Sequence, residues 1–522
     1  ETEVIQYIYK RYTRERAALA ATVITYKPRS AIKDVGKALG LDINFIESIS
    51  QSLAWWDRKK DLERKFTEFN SNENLSFKNS NLIQHFYYLM QQILGFPRHL
   101  SQHVGGFIIT RGPTSEIVPI ENATMTNRTV IQWDKEDIES LGLLKIDILA
   151  LGMLTAIHRC IDLVKNNYSK DISIQKIPKN DDATYSMLCN ADSIGVFQVE
   201  SRAQMTMLPR LKPRSFYDLV IEIAIVRPGP IQGGMVHPYL RRRQGLEEVS
   251  YPDKKIKEVL ECTLGIPVFQ EQVIRLAMVA AGFSGGEADQ LRRAMASWSN
   301  KYNSKNQLAL FEEKLTEGML KNGYNLNFAK NLFKQIQGFG VYGFPESHSA
   351  SFALLAYASA WLKCHYPAAF YCSLMNSQPM GFYSISQLTQ DAKRHDIKIR
   401  PVDVNYSSWE HTLEKSSEYS LSRKYNFSIR LGFRIIKGLS KMDSLKIKNC
   451  NQKFENIDDF HNKTNLSKAK LSLLSSAGAL DSINKDRRIT QWHSLSLKKD
   501  QLSLCNKTDE VNLPSLNLID KM

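Results

Sequence analysis

Cysteine is scarce and unpatterned in this 522-residue chain: seven residues (160, 189, 262, 364, 372, 450 and 505), odd in number and without a C-x-x-C pair. That usage argues against a disulfide scaffold and for reduced thiols packed as small hydrophobes. The nearest thing to metal-ligand spacing is Cys364, His365 and Cys372 in KCHYPAAFYC, where a fourth ligand is not evident. A Walker-type G-x-x-x-x-G-K-[ST] string is also missing, so any nucleotide handling must use other devices. Long apolar runs are absent: ASFALLAYASAWL falls short of the ~18 to 20 residues of a membrane helix. With no signal peptide visible either, a cytoplasmic chain with no membrane partner is expected. No internal repeat recurs at a fixed period. Even the initial methionine is missing; the chain opens ETEVIQYIYKRYTRER, an amphipathic helix pattern, which suggests a piece of something longer.

What is present is positive charge. Sixty-nine lysines and arginines against 54 acids leave a net charge of +15, which favours an anionic partner, nucleic acid being the commonest for such a chain. The plainer explanation is a solvated surface rich in Lys and Asn. Hydrophobic residues make up 43%, enough for packed cores, and the length implies several domains.

Along the chain, residues 1 to 40 read as helical, with a break at YKPRS, and residues 41 to 100 as amphipathic helices ending in GFPRHL. Short β-rich runs then follow (GGFIITRG, EIVPI, TVIQWD, LLKIDILAL), predicting a sheet between about Gly105 and Leu151. From Gly152 to about Pro401 the pattern is mainly helical, punctuated by glycine and proline loops. Strand signals return between 401 and about 440, then a helical stretch; after about Lys499 the tail is polar with sparse leucines.

The segment GLLKIDILALGMLT, Gly142 to Thr155, is apolar except for Lys145 and Asp147. On a strand these two share one face, while Leu144, Ile146 and Ile148 turn the other way into a core. A carboxylate in such surroundings is costly unless it is paired or holds a metal.

Four further constellations can carry chemistry. In GEADQLRRAM, Arg292 and Arg293 can present two guanidinium forks to a triphosphate, although acids early and arginines late also suit the helix dipole. In YGFPESHSASFALL, Pro345, Glu346 and Ser347 can start a helix, with Ser347 and His348 beside amides able to bind phosphate. The loop VRPGPIQGGMVHPYLRRRQG, with Arg227 and Gly229, lets backbone approach a ligand, and Arg241, Arg242 and Arg243 extend its positive surface. GFRIIKGLS, with Lys437 and Gly438, looks like half of a helix-hairpin-helix whose second expected glycine is Ser440.

Together these strings resemble the C-family of bacterial DNA polymerases, that of the DNA polymerase III alpha subunit. YKPRSAIKDVGKALG, SQHVGGFIITRGP, LLKIDILALGML, GVFQVESRAQ, PVFQEQV, ADQLRRAM, GYGFPESHSASFALL and LKCHYPAAFY carry the likeness through nearly the whole chain. GFPRHLSQHVGGF, VRPGPIQGGMVHPYLRRRQ and FPESH resemble the error-prone branch, Pro345 and Glu346 replacing an Asn-Lys typical of replicative members.

The resemblance implies a multidomain, helix-rich α/β fold: a nucleotidyltransferase-like mixed-sheet palm, helical thumb and fingers, and a helix-hairpin-helix region. By family order, residues 1–30 would end the first palm segment, 31–102 form the thumb, 103–152 the remaining palm and 153–400 the fingers. Residues 401–498 would be a small αβ and helix-hairpin-helix-like region, and 499–522 a polar tail. It implies template-directed addition of dNMP to a primer 3′-hydroxyl by two-metal phosphoryl transfer, of the translesion type, with Mg²⁺ as cofactor. Asp147 corresponds to the third palm aspartate and would be a metal ligand, with Lys145 approaching the nucleotide. Arg292 and Arg293 match the fingers arginines expected to hold its triphosphate. Partners would be primer–template DNA and dNTP, with a sliding clamp and mutagenesis accessory proteins reached through regions outside this chain. The family's paired aspartates are expected just before Glu1, so the chain alone should be inactive, one carboxylate being too few for two Mg²⁺ ions. The competing expectations are a non-catalytic DNA-binding protein derived from a polymerase, and an RNA-binding or RNA-synthesising enzyme.

Overall fold

The computed structural model describes residues 2–52, 80–125, 127–148, 151–227, 231, 234–296, 304–339, 344–415, 427–450, 452–484 and 486–496. It divides into two compact units, Glu1–Leu151 and Gly152–Met522.

The first unit is built on one mixed sheet. Helix α1 (Thr2–Arg16) leads into strand β1 (Ala17–Thr25), and helices α2 (Pro28–Ala38), α3 (Ile43–Ser52) and α4 (Ser80–Ile93) follow. The chain returns through β2 (Pro97–Ile109), β3 (Ile120–Asn122), β4 (Thr129–Ile131), helix α5 (Lys135–Ser140) and β5 (Lys145–Asp147). Strand order is β3-β4-β1-β2-β5, with β1 parallel to β4 and the other pairs antiparallel. Alternation sorts the side chains into two cores: Leu19, Phe107 and Val130 pack with Ile5, Ile8 and Tyr9 of α1, whereas Ala18, Ala20, Ile108 and Ile131 pack with Ile138 of α5. Helices α2 to α4 form a separate cluster around Ile32, Ile46 and Phe86.

Three expectations need correction here. Residues 17–25 are a strand, not a helix: AALAATVIT is buried for its first five residues, and a strand covered on both faces shows no alternation to separate it from a buried helix. Likewise β2 begins at Pro97, inside the string taken as the end of a helical stretch. Leu144 does not enter a core either; it lies just before the three-residue β5 and is 76% exposed, while Ile148 packs on the α1 face.

The second unit is helical. Its first helices are α6 (Gly152–Tyr168), α7 (Asp182–Cys189), α8 (Arg202–Leu211), α9 (Phe216–Ile225), α10 (Val236–Arg243) and α11 (Lys254–Leu260). Helices α12 (Gln270–Ala281), α13 (Gly285–Ala296), α14 (Ser304–Lys321) and α15 (Leu326–Phe339) come next. At its centre is α16 (Glu346–His365), followed by α17 (Pro367–Asn376), whose ten residues are all buried, and α18 (Ile385–Arg394). A small sheet of β6 (Ile399–Arg400), β7 (Thr412–Lys415) and β8 (Phe427–Arg430) then joins four short helices: α19 (Lys441–Asn449), α20 (Ile457–Thr464), α21 (Lys468–Ser476) and α22 (Arg487–Ser496). These pack a core of their own around Phe433, Phe460 and Leu471. No helix among the described residues is long and apolar enough to cross a membrane.

Candidate nucleotide and nucleic-acid sites

In the first unit the site strand is the edge strand β5, which pairs antiparallel with β2: Asp147 opposite Gly106, Ile146 opposite Phe107 and Lys145 opposite Ile108. Gly106 is required by close approach. A Cβ there would lie 2.8 Å from His103 Nδ1 and 3.0 Å from Lys145 Cδ. The missing side chain lets the half-buried Lys145 stem cross β2, and the Gly106 N–H donates to His103 Nδ1 at 2.7 Å. His103 and Gly106 were not singled out from the sequence; the signal available was their place in SQHVGGF, some forty residues before KID. The backbone of Asp147 is placed by this pairing, and its side chain lies outside the described residues.

In the second unit the start of α16 is only partly open. Pro345 supplies no side-chain cap, and the Glu346 N–H donates to Glu271 Oε2 at 2.9 Å, while Tyr217 donates to Glu346 Oε1 at 2.7 Å. A carboxylate therefore already sits on the first amide of this helix. Ser347 and His348 are exposed. The His348 ring lies 4.1 Å from Phe352 and 5.1 Å from Phe344, ring centre to ring centre; Phe352 continues to Phe197 at 5.2 Å. At the other end the Arg227 guanidinium lies 4.6 Å over Phe344 and donates to Gln198 Oε1 at 3.0 Å. The fold thus brings Arg227 and His348 together in one column of cation and rings, with Phe197, Phe344 and Phe352, which sequence reasoning missed. Residue 197 is distant in sequence, and an aromatic there reads as ordinary core. A cation stacked on rings beside an exposed imidazole suits flat, anionic ligands such as nucleotides.

The other expected residues are dispersed. Arg292 and Arg293 lie in the last turns of α13, their side chains outside the described residues. At the other end of that helix Glu287 accepts from the Ser284 N–H and hydroxyl, both at 2.8 Å; with the Lys314 ammonium, these hold its carboxyl at about 2. Gly229 lies outside the described residues. Of the three arginines on α10, Arg241 is 64% exposed, with Glu247 at 3.5 Å. Arg242 instead pairs with Glu247 at 3.0 Å and donates to the Leu264 carbonyl at 2.8 Å, and Arg243 pairs with Asp218 at 2.8 Å. Those two are ties within the fold.

Lys437 is exposed, and Gly438 takes φ +89°, the left-handed region that favours glycine in a tight turn. Ser440 is the N-cap of α19, in a reciprocal capping box with Asp443. Burial raises the Asp443 carboxyl, but bonds from Ser440 and the Lys470 ammonium at 3.1 Å outweigh it, so the group is held below its usual range. This turn thus carries its own carboxylate where a helix-hairpin-helix would grip phosphate.

Two glycine strings match catalytic fingerprints by spacing alone. Gly282-Phe-Ser-Gly-Gly286 fits G-x-S-x-G, and Gly338-Phe-Gly-Val-Tyr-Gly343 fits G-x-G-x-x-G. The first joins helix α12 to helix α13, and Gly338 of the second lies within helix α15, residues 340–343 being outside the described residues; neither string opens on the strand that both fingerprints require.

Three family models match the chain: the "Bacterial DNA polymerase III alpha NTPase domain" over residues 1–150, the "Bacterial DNA polymerase III alpha subunit finger domain" over 153–323 and the "Helix-hairpin-helix motif" over 396–490. The chain is 59% identical to an error-prone DNA polymerase of Teredinibacter turnerae over 499 residues, 95% of this chain and 47% of that protein. It is 59% identical to one of Saccharophagus degradans over 497 residues (95% and 47%), and 54% identical to one of Vibrio vulnificus over 507 (96% and 48%). The chain spans about half the length of these relatives.

Proposed function

Because the chain belongs to the bacterial DNA polymerase III alpha family, on its error-prone branch, we propose that it forms the palm, thumb, fingers and helix-hairpin-helix part of a template-directed DNA polymerase. What supports this most is the identity of 59% spread over 95% of the chain, which no single motif could carry. In this reading the sheet of the first unit is the palm, α2 to α4 belong to the thumb, the helices between residues 153 and 400 are the fingers, and residues 401–498 are the helix-hairpin-helix-like region.

The reaction joins a primer 3′-hydroxyl to the α-phosphorus of a dNTP and releases pyrophosphate. Catalysis of this class is mainly positioning and charge stabilisation. Lys145 would bring its ammonium to the nucleotide phosphates from the edge strand, its stem fixed across Gly106. Arg292 and Arg293 would hold the triphosphate, Ser347 and His348 would line the nucleotide site, and Arg227 would steady His348 through Phe344. Arg241 and Lys437 would meet DNA backbone, whereas Arg242 and Arg243 would act through the fold rather than by direct contact.

Mg²⁺ supplies neutralisation of the triphosphate and activation of the hydroxyl in such enzymes. A pair of such ions needs several carboxylates, and the KID strand offers one, Asp147, whose side chain lies outside the described residues. Asp147 would therefore be one member of a larger carboxylate set. This 522-residue chain should bind primer–template DNA in a strongly salt-dependent way and fail to extend the primer. Robust Mg²⁺-dependent extension by the chain would refute that expectation. DNA binding without extension, even after a complete carboxylate set is restored, would favour a non-catalytic DNA-binding protein.

A further inference from the structure

We propose that Asp181, Cys364 and His365 form a binding site for a zinc-class divalent transition ion, separate from any polymerase chemistry. The sequence offered Cys364, His365 and Cys372 as neighbours. The fold separates them: Cys372 is buried in α17, where its thiol donates to the His411 carbonyl at 3.3 Å. In its place comes Asp181, 184 residues before His365, at the start of α7.

One donor atom from each of Asp181, Cys364 and His365 lies within 4.8 Å of the others. Zinc bound to sulfur at about 2.3 Å and to nitrogen or oxygen at about 2.0 Å places tetrahedral ligands roughly 3.3 to 3.7 Å apart, so small side-chain adjustments close the site. The His365 Nε2–Asp181 Oδ2 separation is already 2.9 Å.

These ligands are held from behind. Asp181 Oδ2 accepts from the Thr184 N–H at 2.8 Å and the Thr184 hydroxyl at 2.6 Å. The Asp181 N–H donates to the Tyr357 hydroxyl at 3.1 Å, which in turn donates to the Pro178 carbonyl at 2.6 Å. The His365 ring lies 4.9 Å from that of Trp361. Such outer contacts fix ligand orientation before an ion arrives.

A second group meeting the same distance criterion, Asp192, Asp391 and His395, marks the contrast. There the Lys363 ammonium, with a fully buried side chain, lies 2.7 Å from Asp192 and 3.4 Å from Asp391 and already serves as the cation. The group at Asp181 is half-open, with His365 34% and Asp181 20% exposed, so an ion and a fourth, water ligand can reach it. A sulfur–nitrogen–oxygen set selects zinc and its neighbours over Mg²⁺ or Ca²⁺. On binding, the thiol loses its proton to solvent as the sulfur–metal bond forms.

The test is titration of the full, reduced chain with Co²⁺ and then competition by Zn²⁺. The expected result is one equivalent of cobalt with a thiolate-to-cobalt charge-transfer band, abolished by zinc. C364S should lose the band and bind zinc about 10-fold or more weakly. D181N, which keeps a good helix cap, should retain the band at reduced affinity. The control C262S, at an exposed thiol elsewhere, should change neither. No band in the wild type, a band that survives C364S, or one lost in C262S would each overturn the proposal, and circular dichroism of C364S separates lost binding from lost folding.

Discussion

The helical unit holds its basic side chains in two kinds of setting. Lys363 is sealed in the core, its ammonium between Asp192 and Asp391 and its donors completed by the Ile194 carbonyl at 3.0 Å. His395 closes the same network by pairing with Asp192 at 2.6 Å, and Tyr371 adds a bond to Asp391 at 2.5 Å. By contrast, the half-buried Arg227 and the exposed His348 lie against aromatic rings. The first set is held between acids inside the fold, whereas His348 of the second is exposed. The difference separates groups that hold this protein together from groups that can still hold a ligand.

The largest effect should come from breaking the sealed set. Lys363→Met leaves the buried Asp391 and the one-third exposed Asp192 without their shared ammonium and should cost about 3 kcal/mol in urea or thermal unfolding. A loss under about 1 kcal/mol would mean the network is hydrated and ordinary. The pH dependence has a definite sign. Burial raises the Asp192 carboxyl, but His395 and Lys363 outweigh it and hold it at about 2. Its stabilisation is therefore full above the unfolded carboxylate range and fades as pH falls towards 2; a Lys363→Met protein should show less of that acid loss.

A buried acid with no partner should behave in the opposite way. Both Glu222 oxygens are buried and accept no hydrogen bond from the described residues, and burial raises the carboxyl well above its usual 4.5. The folded chain keeps that proton at pH values where the unfolded chain releases it, so stability falls as pH rises from about 4.5. Glu222→Leu should stabilise by about 1–3 kcal/mol near neutral pH and remove that slope, measured by denaturant titration at two pH values. Destabilisation would show that Glu222 has a polar neighbour.

On the exposed side, His348→Ala should leave unfolding nearly unchanged but weaken primer–template or nucleotide binding by about 1–2 kcal/mol, read by fluorescence anisotropy. Equal loss of stability would assign His348 to the core. The smallest effect is local: Ser440→Ala should cost about 1 kcal/mol through loss of the α19 cap.

Much of this was legible in the residues. The strand carrying Lys145 and Asp147, the change from sheet to helix near residue 151 and the helix beginning at FPESH all follow from period and punctuation. Strand β1 was not legible, because five consecutive buried residues, four of them alanine, carry neither period. The Arg227–Phe344–His348–Phe352–Phe197 column and the arrival of Asp181 beside His365 were illegible for a different reason. They depend on tertiary contacts across more than a hundred residues, and each member alone looks like core or a cap. The reverse failure occurs at Arg242 and Arg243, which the sequence groups with Arg241 as a basic surface but the fold commits to Glu247 and Asp218.

The most direct test of the central claim is one titration of this chain with fluorescent primer–template DNA at low and moderate salt, followed by addition of dNTPs and Mg²⁺ to the same complex. The account predicts binding that weakens steeply with salt, is reduced by His348→Ala, and leads to no primer extension. Absence of binding at low salt, or efficient extension by the chain alone, would contradict it.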